Sequence, residues 1–202
     1  MSSEFWDKRY GGQDFFYGTE PNQFLASQAG LFLPKGKLLC LGEGEGRNAV
    51  FLAGQGFEVT ALDACATGLQ KAEHLAAQRG VTIRTQVADL NDFDLGDQIW
   101  DGVISIWCHL PSALRARVHA GCRRALKPGG VFLLEAYRPA QIALATGGPK
   151  EVDMLPTLDL LNRELAGLQP LLAREIEREV LEGSGHTGQS AVVQWIGRKP
   201  TP

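Results

Sequence analysis

Residues 42–46 form a short segment whose residue types could bind a nucleotide. It alternates glycines with acids: Gly42, Glu43, Gly44, Glu45 and Gly46. An apolar run at residues 38–41 precedes it and a helix-compatible stretch follows, which is the usual strand, turn and helix of a nucleotide site. Glycine lets a ligand approach the main chain, and the helix aims free N–H groups at that ligand. The two glutamates are unexpected, because most such loops bind phosphate, which carboxylates repel.

A second acid stands where nucleotide-binding folds contact a ribose. Asp63 lies 19 residues beyond Gly44, at the end of the second predicted strand. A carboxylate there accepts hydrogen bonds from both ribose hydroxyls. Gly44, Gly46 and Ala49 also satisfy the dinucleotide pattern GxGxxA. These residues indicate an adenosine-type ligand without specifying which one. The alternative for Asp63 is a cap on the helix that begins near Thr67.

The loop glutamates favour a ligand without phosphate. Beside the pyrophosphate of a dinucleotide, each close pair of like charges would cost on the order of 1 kcal/mol or more even in a watery site. S-adenosylmethionine has no phosphate, and its sulfonium and ammonium groups are cations that acids attract. The alternative is that Glu43 and Glu45 both point into solvent, as loop glutamates usually do, and carry no information about the ligand.

Length and composition predict one ordinary globular domain without a nucleic-acid or membrane surface. The chain has 202 residues, 44% of them hydrophobic and 21% charged, with a net charge of −3. We find no long basic run and no stretch of about 18 apolar residues, and the polar N-terminus is unlike a signal peptide. The cysteines lack metal or disulfide spacing, so we expect free thiols and a cytoplasmic protein: Cys40, Cys65, Cys108 and Cys122.

Strands and helices alternate along the chain, which predicts a parallel, Rossmann-like α/β sheet with right-handed crossovers. Strands are predicted at residues 37–41, 57–62, 82–87, 100–107 and 131–137, and helices at residues 20–32, 47–55, 67–79 and 112–126. After residue 139 we predict a loop at residues 140–156 and a helix at 157–167. Extended runs at residues 171–182 and 189–198 then flank a glycine-rich turn, which is typical of an antiparallel hairpin.

Several of these motifs together resemble the class I S-adenosylmethionine-dependent methyltransferases. The motifs are Gly42-x-Gly44-x-Gly46, Asp63, Ala88-Asp89 and Leu126-Lys127-Pro128-Gly129-Gly130. The opening Phe5-Trp6-Asp7-Lys8-Arg9-Tyr10 with Tyr17-Gly18-Thr19-Glu20-Pro21-Asn22 is similar to the arm of small bacterial members, the tellurite-resistance and thiopurine methyltransferase-like group. The resemblance implies about seven strands with the last one antiparallel. It also implies one domain over residues 1–202, with an arm (1–18), a cofactor-binding core (37–137) and a hairpin (168–199).

The resemblance implies a set of cofactor-binding residues. In the core these are Gly42, Glu43, Gly44, Gly46, Asp63, Ala64, Ala88, Asp89, Leu90, Ile106 and Trp107. Asp89 would meet the adenine, with Leu90 as an apolar wall, unless Asp89 is only a turn acid. Trp107 would lie under the methionine end, unless it is core. From the arm, Trp6, Arg9, Tyr17 and Gly18 would form a lid that attracts the sulfonium by cation–π contact, unless the arm packs without touching the ligand.

One position departs from the family pattern. The family often has Asp or Glu two residues before the first glycine, and this chain has Cys40. A thiol does not provide the same countercharge for the ammonium of the ligand. Glu43 or Glu45 replaces that acid, or backbone carbonyls hold the ammonium.

His109, just past the fourth strand, is the candidate general base, because an imidazole can take a proton from an attacking hydroxyl or amine. His186 and Tyr137 are weaker candidates. The four histidines are dispersed, so we expect no metal site.

We therefore predict a methyltransferase that uses S-adenosylmethionine, yields S-adenosylhomocysteine and acts on a small acceptor such as a thiol, a metalloid oxyanion or a small metabolite. Three alternatives stay open: an NAD-dependent oxidoreductase, a nucleic-acid methyltransferase and a non-catalytic S-adenosylmethionine sensor. The sensor would use the same binding residues.

Overall fold

A seven-stranded sheet forms the centre of the molecule. The computed structural model describes residues 3–202, so the first two residues of the predicted arm lie outside it. The strands are β1 (Lys37–Leu41), β2 (Glu58–Asp63), β3 (Arg84–Val87), β4 (Trp100–Ile106), β5 (Leu126–Tyr137), β6 (Gln169–Glu182) and β7 (His186–Arg198). The helices are α1 (Ser3–Tyr10), α2 (Gln23–Gln28), α3 (Arg47–Gly54), α4 (Ala66–Gln78), α5 (Ser112–Ala125), α6 (Gln141–Leu144) and α7 (Leu158–Glu164), and 3-10 turns span Ala29–Leu31 and Val152–Met154.

The strand order is β3-β2-β1-β4-β5-β7-β6. The first five strands are parallel, and β7 pairs antiparallel with both β5 and β6. This confirms the predicted fold class. Chain order reverses between β1 and β4, and ligands of open α/β sheets bind at the carboxyl ends of strands at such a switch point. The topology therefore brings the glycine loop after β1 beside the end of β4.

Helices on both faces bury the central strands, which explains why β1 reads as a continuous apolar run. Alternate residues of β1 face opposite layers: Leu39 and Leu41 pack in a cluster with Val118 of α5, and Leu38 and Cys40 pack in a cluster with Leu52 of α3. Because α3 is anchored in this second layer, the loop leading into it has a defined position. Among residues 3–202, no helix has the length and apolar character needed to cross a membrane.

Some predicted boundaries were wrong. Residues 3–10 of the arm are helical, and the loop predicted at residues 140–156 contains α6 and a 3-10 turn. The segment Lys127–Gly130 belongs to β5, because Leu126 already pairs with Trp100 before a register shift. Pairing of β6 with β7 continues to Glu182 and His186, so the hairpin turn is three residues long, with Gly183 at φ 62°. Gly183 thus adopts a left-handed conformation at the first position of the turn, which glycine takes without steric cost.

Candidate functional site

The glycine loop has the backbone of a ligand cradle. All three glycines have positive φ, at 59°, 60° and 88° for Gly42, Gly44 and Gly46. A Cβ atom on Gly42 would lie 2.9 Å from the Cys108 Sγ atom, and one on Gly44 would lie 2.7 Å from the Tyr10 hydroxyl. Both the conformation and the lack of space therefore exclude larger side chains at Gly42 and Gly44.

Glu43 turns inward from this loop. Its carboxylate is 8% exposed and accepts a 2.7 Å hydrogen bond from the Ala49 N–H in the first turn of α3. Burial raises its pKa to about 7, against the opposing effects of the Ala49 amide and the Arg47 charge. Glu43 also interacts with the Cys40 thiol, whose pKa is raised by burial and by this carboxylate. The Glu43 carboxylate thus lies beside Cys40, the position at which the family often has an acid.

Glu45 holds the N-terminal arm. It is 3% exposed, and its carboxylate accepts hydrogen bonds from the backbone N–H groups of Phe16 at 2.8 Å and Tyr17 at 3.3 Å. The Lys71 ammonium of α4 pairs with it at 2.6 Å. Neither loop glutamate is solvated, which excludes the alternative that both point into solvent. Their side chains point in different directions and make different contacts.

Asp63 connects the glycine loop to the start of α4. One carboxylate oxygen accepts from the Gly44 N–H and the other from the Cys65 N–H, both at 2.8 Å. Burial raises its pKa, while these backbone bonds lower it. The N-cap residue of α4 is Cys65 rather than Asp63. Each carboxylate oxygen has a second lone pair, so Asp63 can still accept from a ligand hydroxyl. Ala64, which follows it, is exposed.

The ends of β3 and β4 complete the edge of the sheet around the loop. The Ala88 N–H donates to the Asp63 carbonyl at 3.0 Å. Asp89 is exposed, and its carboxylate accepts from the Asn91 N–H at 2.8 Å, as expected of a turn acid. Leu90 is half-buried against the core, and Ile106 is buried.

Trp107 has an unusual backbone. Its φ is 55°, a left-handed conformation that is strained for a bulky residue and needs support from its surroundings. The indole N–H donates to the Glu182 carboxylate at 2.6 Å, and the ring stacks on Tyr137 at 4.4 Å between centroids. The end of β4 is therefore held by the terminal hairpin.

His109 has both ring nitrogens engaged by the main chain. Nδ1 lies 3.0 Å from the Trp107 carbonyl, and Nε2 accepts from the Tyr137 N–H at 3.0 Å. Burial lowers its pKa to about 4. The imidazole is therefore neutral, with Nδ1–H as donor, and neither nitrogen is free to take a proton. This geometry gives no support to His109 as a general base and indicates a structural role.

The arm packs directly over the glycine loop. Tyr10 is buried and stacks on Trp6 at 5.5 Å. The Asp7 carboxylate accepts from the Thr67 hydroxyl at 2.8 Å, which docks α1 on the start of α4. Arg9 donates to the Tyr17 hydroxyl at 3.2 Å. Gly18 closes the arm in a tight turn with φ 74°. Tyr10 was not among the predicted site residues, although its place within the arm motif was a signal for it.

A buried ion network behind the loop was also missed. Its members are Asn22, Arg47, Glu135, Arg178, Glu182 and Gln194. Arg47 pairs with Glu182 at 2.5 Å, and Arg178 pairs with the fully buried Glu135 at 2.7 Å. Asn22 donates to both of these carboxylates, at 2.6 and 2.9 Å. The position of Arg47 directly after Gly46 was the one local signal. The network fixes the start of α3 against the hairpin.

Comparison with known proteins places these features in context. Residues 38–130 match a family model described as a methyltransferase domain. A curated relative is the 2-heptyl-1-hydroxyquinolin-4(1H)-one methyltransferase of Mycobacteroides abscessus, 31% identical over 120 residues, which cover 58% of this chain and 53% of the relative. The chain thus spans about half the length of that relative.

Solved structures share the fold over nearly the whole chain. A protein from work on conversion of a disulfide bond into a thioacetal group in echinomycin biosynthesis has a TM-score of 0.80 at 22% identity, covering 98% of this chain and 91% of its own. TehB from Haemophilus influenzae has a TM-score of 0.73 at 18% identity, covering 98% and 66%. N-methyltransferase NodS from Bradyrhizobium japonicum, in complex with S-adenosyl-L-homocysteine, has a TM-score of 0.72 at 13% identity, covering 98% of each chain.

Proposed function

We propose that this protein is a class I, S-adenosylmethionine-dependent methyltransferase that transfers a methyl group from S-adenosylmethionine to a small acceptor; residues 38–130 match a family model described as a methyltransferase domain. The cofactor supplies a methyl group already activated on a sulfonium. The observation that carries the proposal is the glycine cradle with Asp63 on one side and the buried Glu43 on the other. The enzyme's remaining task is to align the acceptor about 3 Å from the methyl group and exclude water.

The residues present fit this cofactor. Asp63 would accept from the ribose hydroxyls, and the apolar Leu90 would flank the adenine. Glu43 would provide the countercharge for the ammonium, in place of the acid that the family often has at the position of Cys40. Glu45 would hold the arm and is not available to the ligand, because the arm amides and Lys71 occupy its carboxylate. The aromatic arm residues would shed water from the sulfonium.

The acceptor in this proposal is a small molecule: a thiol, a metalloid oxyanion or a small metabolite. The net charge of −3 and the lack of a long basic run argue against a basic surface for a nucleic acid. Hydroxyquinolones join the candidates, because the curated relative is named for one. We also propose membership of the tellurite-resistance and thiopurine methyltransferase-like subgroup, on the strength of the arm motifs at residues 5–10 and 17–22.

Calorimetry tests the cofactor, and a labelling screen tests the acceptor. We expect S-adenosylhomocysteine to bind far more tightly than NAD; the reverse order would refute the proposal. Methyl-labelled S-adenosylmethionine should label thiols, tellurite, selenite or hydroxyquinolones in preference to tRNA, DNA or protein extracts. Labelling of a nucleic acid alone would contradict the small-acceptor proposal. Tight cofactor binding without turnover on any acceptor would favour the sensor.

A further inference from the structure

His186 lies within a cluster of rings at the carboxyl edge of the sheet. It is the first residue of β7, which runs antiparallel to β5 and therefore starts where β5 ends. Its imidazole stacks on Tyr17 of the arm at 4.6 Å and on Trp107 at 5.1 Å between centroids. The residue is 6% exposed. The imidazole is thus held between the arm and the end of β4.

Two short chains of contacts lead from this imidazole to the glycine loop. Trp107 adjoins Cys108, whose sulfur packs against Gly42. On the other side, Glu45 of the loop accepts from the Tyr17 N–H. His186 is therefore separated from the glycine loop by Tyr17 on one side and by Trp107 and Cys108 on the other. Ligands of open α/β sheets bind at the carboxyl ends of the strands, so an acceptor would approach the cofactor from this edge of the sheet.

The two ring nitrogens of His186 have different surroundings. Nδ1 lies 2.7 Å from the Tyr137 hydroxyl. Within residues 3–202, Nε2 has no hydrogen-bond partner, and the one side-chain nitrogen that is both sealed from solvent and unpaired is Arg138 Nε. Nε2 therefore retains contact with accessible space. This distinguishes His186 from His109, whose two nitrogens are both occupied by the main chain.

We propose that His186 Nε2 is the general base that takes the proton of the acceptor, with Tyr137 positioning the imidazole through Nδ1; this inference rests on the proposed function. As the acceptor oxygen forms its bond to the methyl carbon, the sulfur–carbon bond breaks and sulfur keeps the electron pair. The acceptor proton passes to Nε2. One positive charge leaves the sulfonium and one appears on the imidazolium, so charge is balanced.

The proposal specifies the class of acceptor. A base is needed for a neutral hydroxyl, whereas thiolates and oxyanions arrive already deprotonated. The rings of Trp107, Tyr17 and Tyr137 surround the imidazole and favour an aromatic partner, because aromatic rings pair edge to face as well as with offset faces. We therefore assign a planar aromatic hydroxyl compound as the acceptor class. Burial, with smaller effects of His109, Arg47 and Arg9, lowers the pKa of His186 and keeps the imidazole neutral before reaction.

The tautomer of His186 tests the proposal without any acceptor. ¹⁵N NMR of the protein loaded with S-adenosylhomocysteine at pH 7 should show His186 with Nδ1 protonated and Nε2 bare. A proton on Nε2 would overturn the proposal, because that nitrogen would then donate rather than accept. Tyr137→Phe should change the Nδ1 signal while keeping the stacked ring.

Kinetics provide the second test, with phenol, 1-naphthol and iodide as acceptors. We expect His186→Gln to slow transfer to the phenols by about 100-fold or more, the range for a general base, and to leave transfer to iodide within about threefold. His74→Gln, on the exposed face of α4, is the matched control and should match the wild type with every acceptor.

Two results would overturn the assignment of His186. One is a wild type that methylates iodide but neither of the two phenols, and the other is a His186→Gln variant that loses activity equally with all acceptors. Calorimetry with S-adenosylhomocysteine separates this from failure of the proposed function. If the wild type binds S-adenosylhomocysteine and only the His186 effects are absent, the methyltransferase proposal stands and the base assignment fails.

Discussion

At the residue scale, Asp63 has a structural role, and we propose that it also binds the ligand. It joins Gly44 to Cys65 through two backbone hydrogen bonds and keeps lone pairs for a ribose. We expect Asp63→Ala to weaken S-adenosylhomocysteine binding by roughly 1.5–3 kcal/mol, the range for hydrogen bonds to a charged group. Calorimetry measures this loss. Thermal melts should show lower stability as well, because two backbone donors lose their acceptor.

Asp63→Asn is the control for this prediction. It keeps one acceptor oxygen and should have a milder effect on affinity. If Asp63→Ala lowers the melting temperature but leaves the affinity of the folded protein unchanged, Asp63 does not contact the ligand. The glycine loop would then be the remaining evidence for the cofactor site.

Glu43 should make cofactor binding depend on pH. Burial raises its pKa to about 7. The charge of Arg47 lowers this pKa and the charge of Asp63 raises it. Only the ionised carboxylate attracts the ligand's ammonium, so affinity for S-adenosylhomocysteine should rise with pH. Between pH 6 and 8 the ionised fraction of such a group grows about tenfold, which sets the upper limit of the effect. Calorimetry across this range measures it.

Glu43→Gln is the matched variant, because the amide keeps the shape and does not ionise. Its affinity should be lower at pH 8 and nearly constant from pH 6 to 8. An unchanged pH profile in Glu43→Gln would show that another group causes the dependence and that Glu43 does not face the ammonium.

At the scale of elements, Glu45 of the glycine loop holds the second half of the arm, at Phe16 and Tyr17. Glu45→Ala removes the acceptor for the Phe16 and Tyr17 amides and the ion-pair partner of Lys71, which keeps its hydrogen bond to the Asp14 carbonyl. Each lost hydrogen bond to a charged group is worth about 1.5–3 kcal/mol. We expect amide hydrogen exchange at residues 10–18 to become at least about tenfold faster.

Glu20→Ala is the control for the arm, since it removes a carboxylate whose pair with Arg79 is exposed. Exchange in the arm should stay close to that of the wild type. Equal exchange in Glu45→Ala and the wild type would mean that ring stacking, and not Glu45, holds the arm over the loop.

At the scale of the whole molecule, Glu182 joins parts of the chain that are far apart in sequence. It pairs with Arg47, 135 residues away, and accepts from Trp107 and Asn22. Glu182→Ala leaves Arg47 as a buried charge without its partner, so we expect a loss of about 3–5 kcal/mol of unfolding free energy. Urea denaturation followed by circular dichroism measures this loss.

Glu177→Ala, on the exposed face of the same strand, should change stability by less than about 0.5 kcal/mol, as surface ion pairs do. A loss of similar size in both variants would show that β6 responds to any substitution. The network would then have no special part in holding the loop against the hairpin.

The sequence by itself determined the fold class and predicted where the cofactor site lies. Alternating apolar segments and turn residues are local signals. They predicted the parallel strands of the sheet, the terminal hairpin and the glycine loop after β1. Asp63 could be placed as well, because the end of β2 must lie beside the end of β1 in a parallel sheet.

Only the tertiary structure decided what the individual side chains contact. Nothing local to Glu43 and Glu45 distinguishes them, yet one turns toward Ala49 and the other toward the arm. His109 was predicted as a general base because the sequence does not show what its ring nitrogens contact. Its partners are main-chain groups whose positions depend on how β4 and β5 end. Arg47 and Glu182 meet only when the hairpin closes on α3. Local patterns contain no information about such partners, because hydrogen bonds and burial depend on which distant segments the fold brings together.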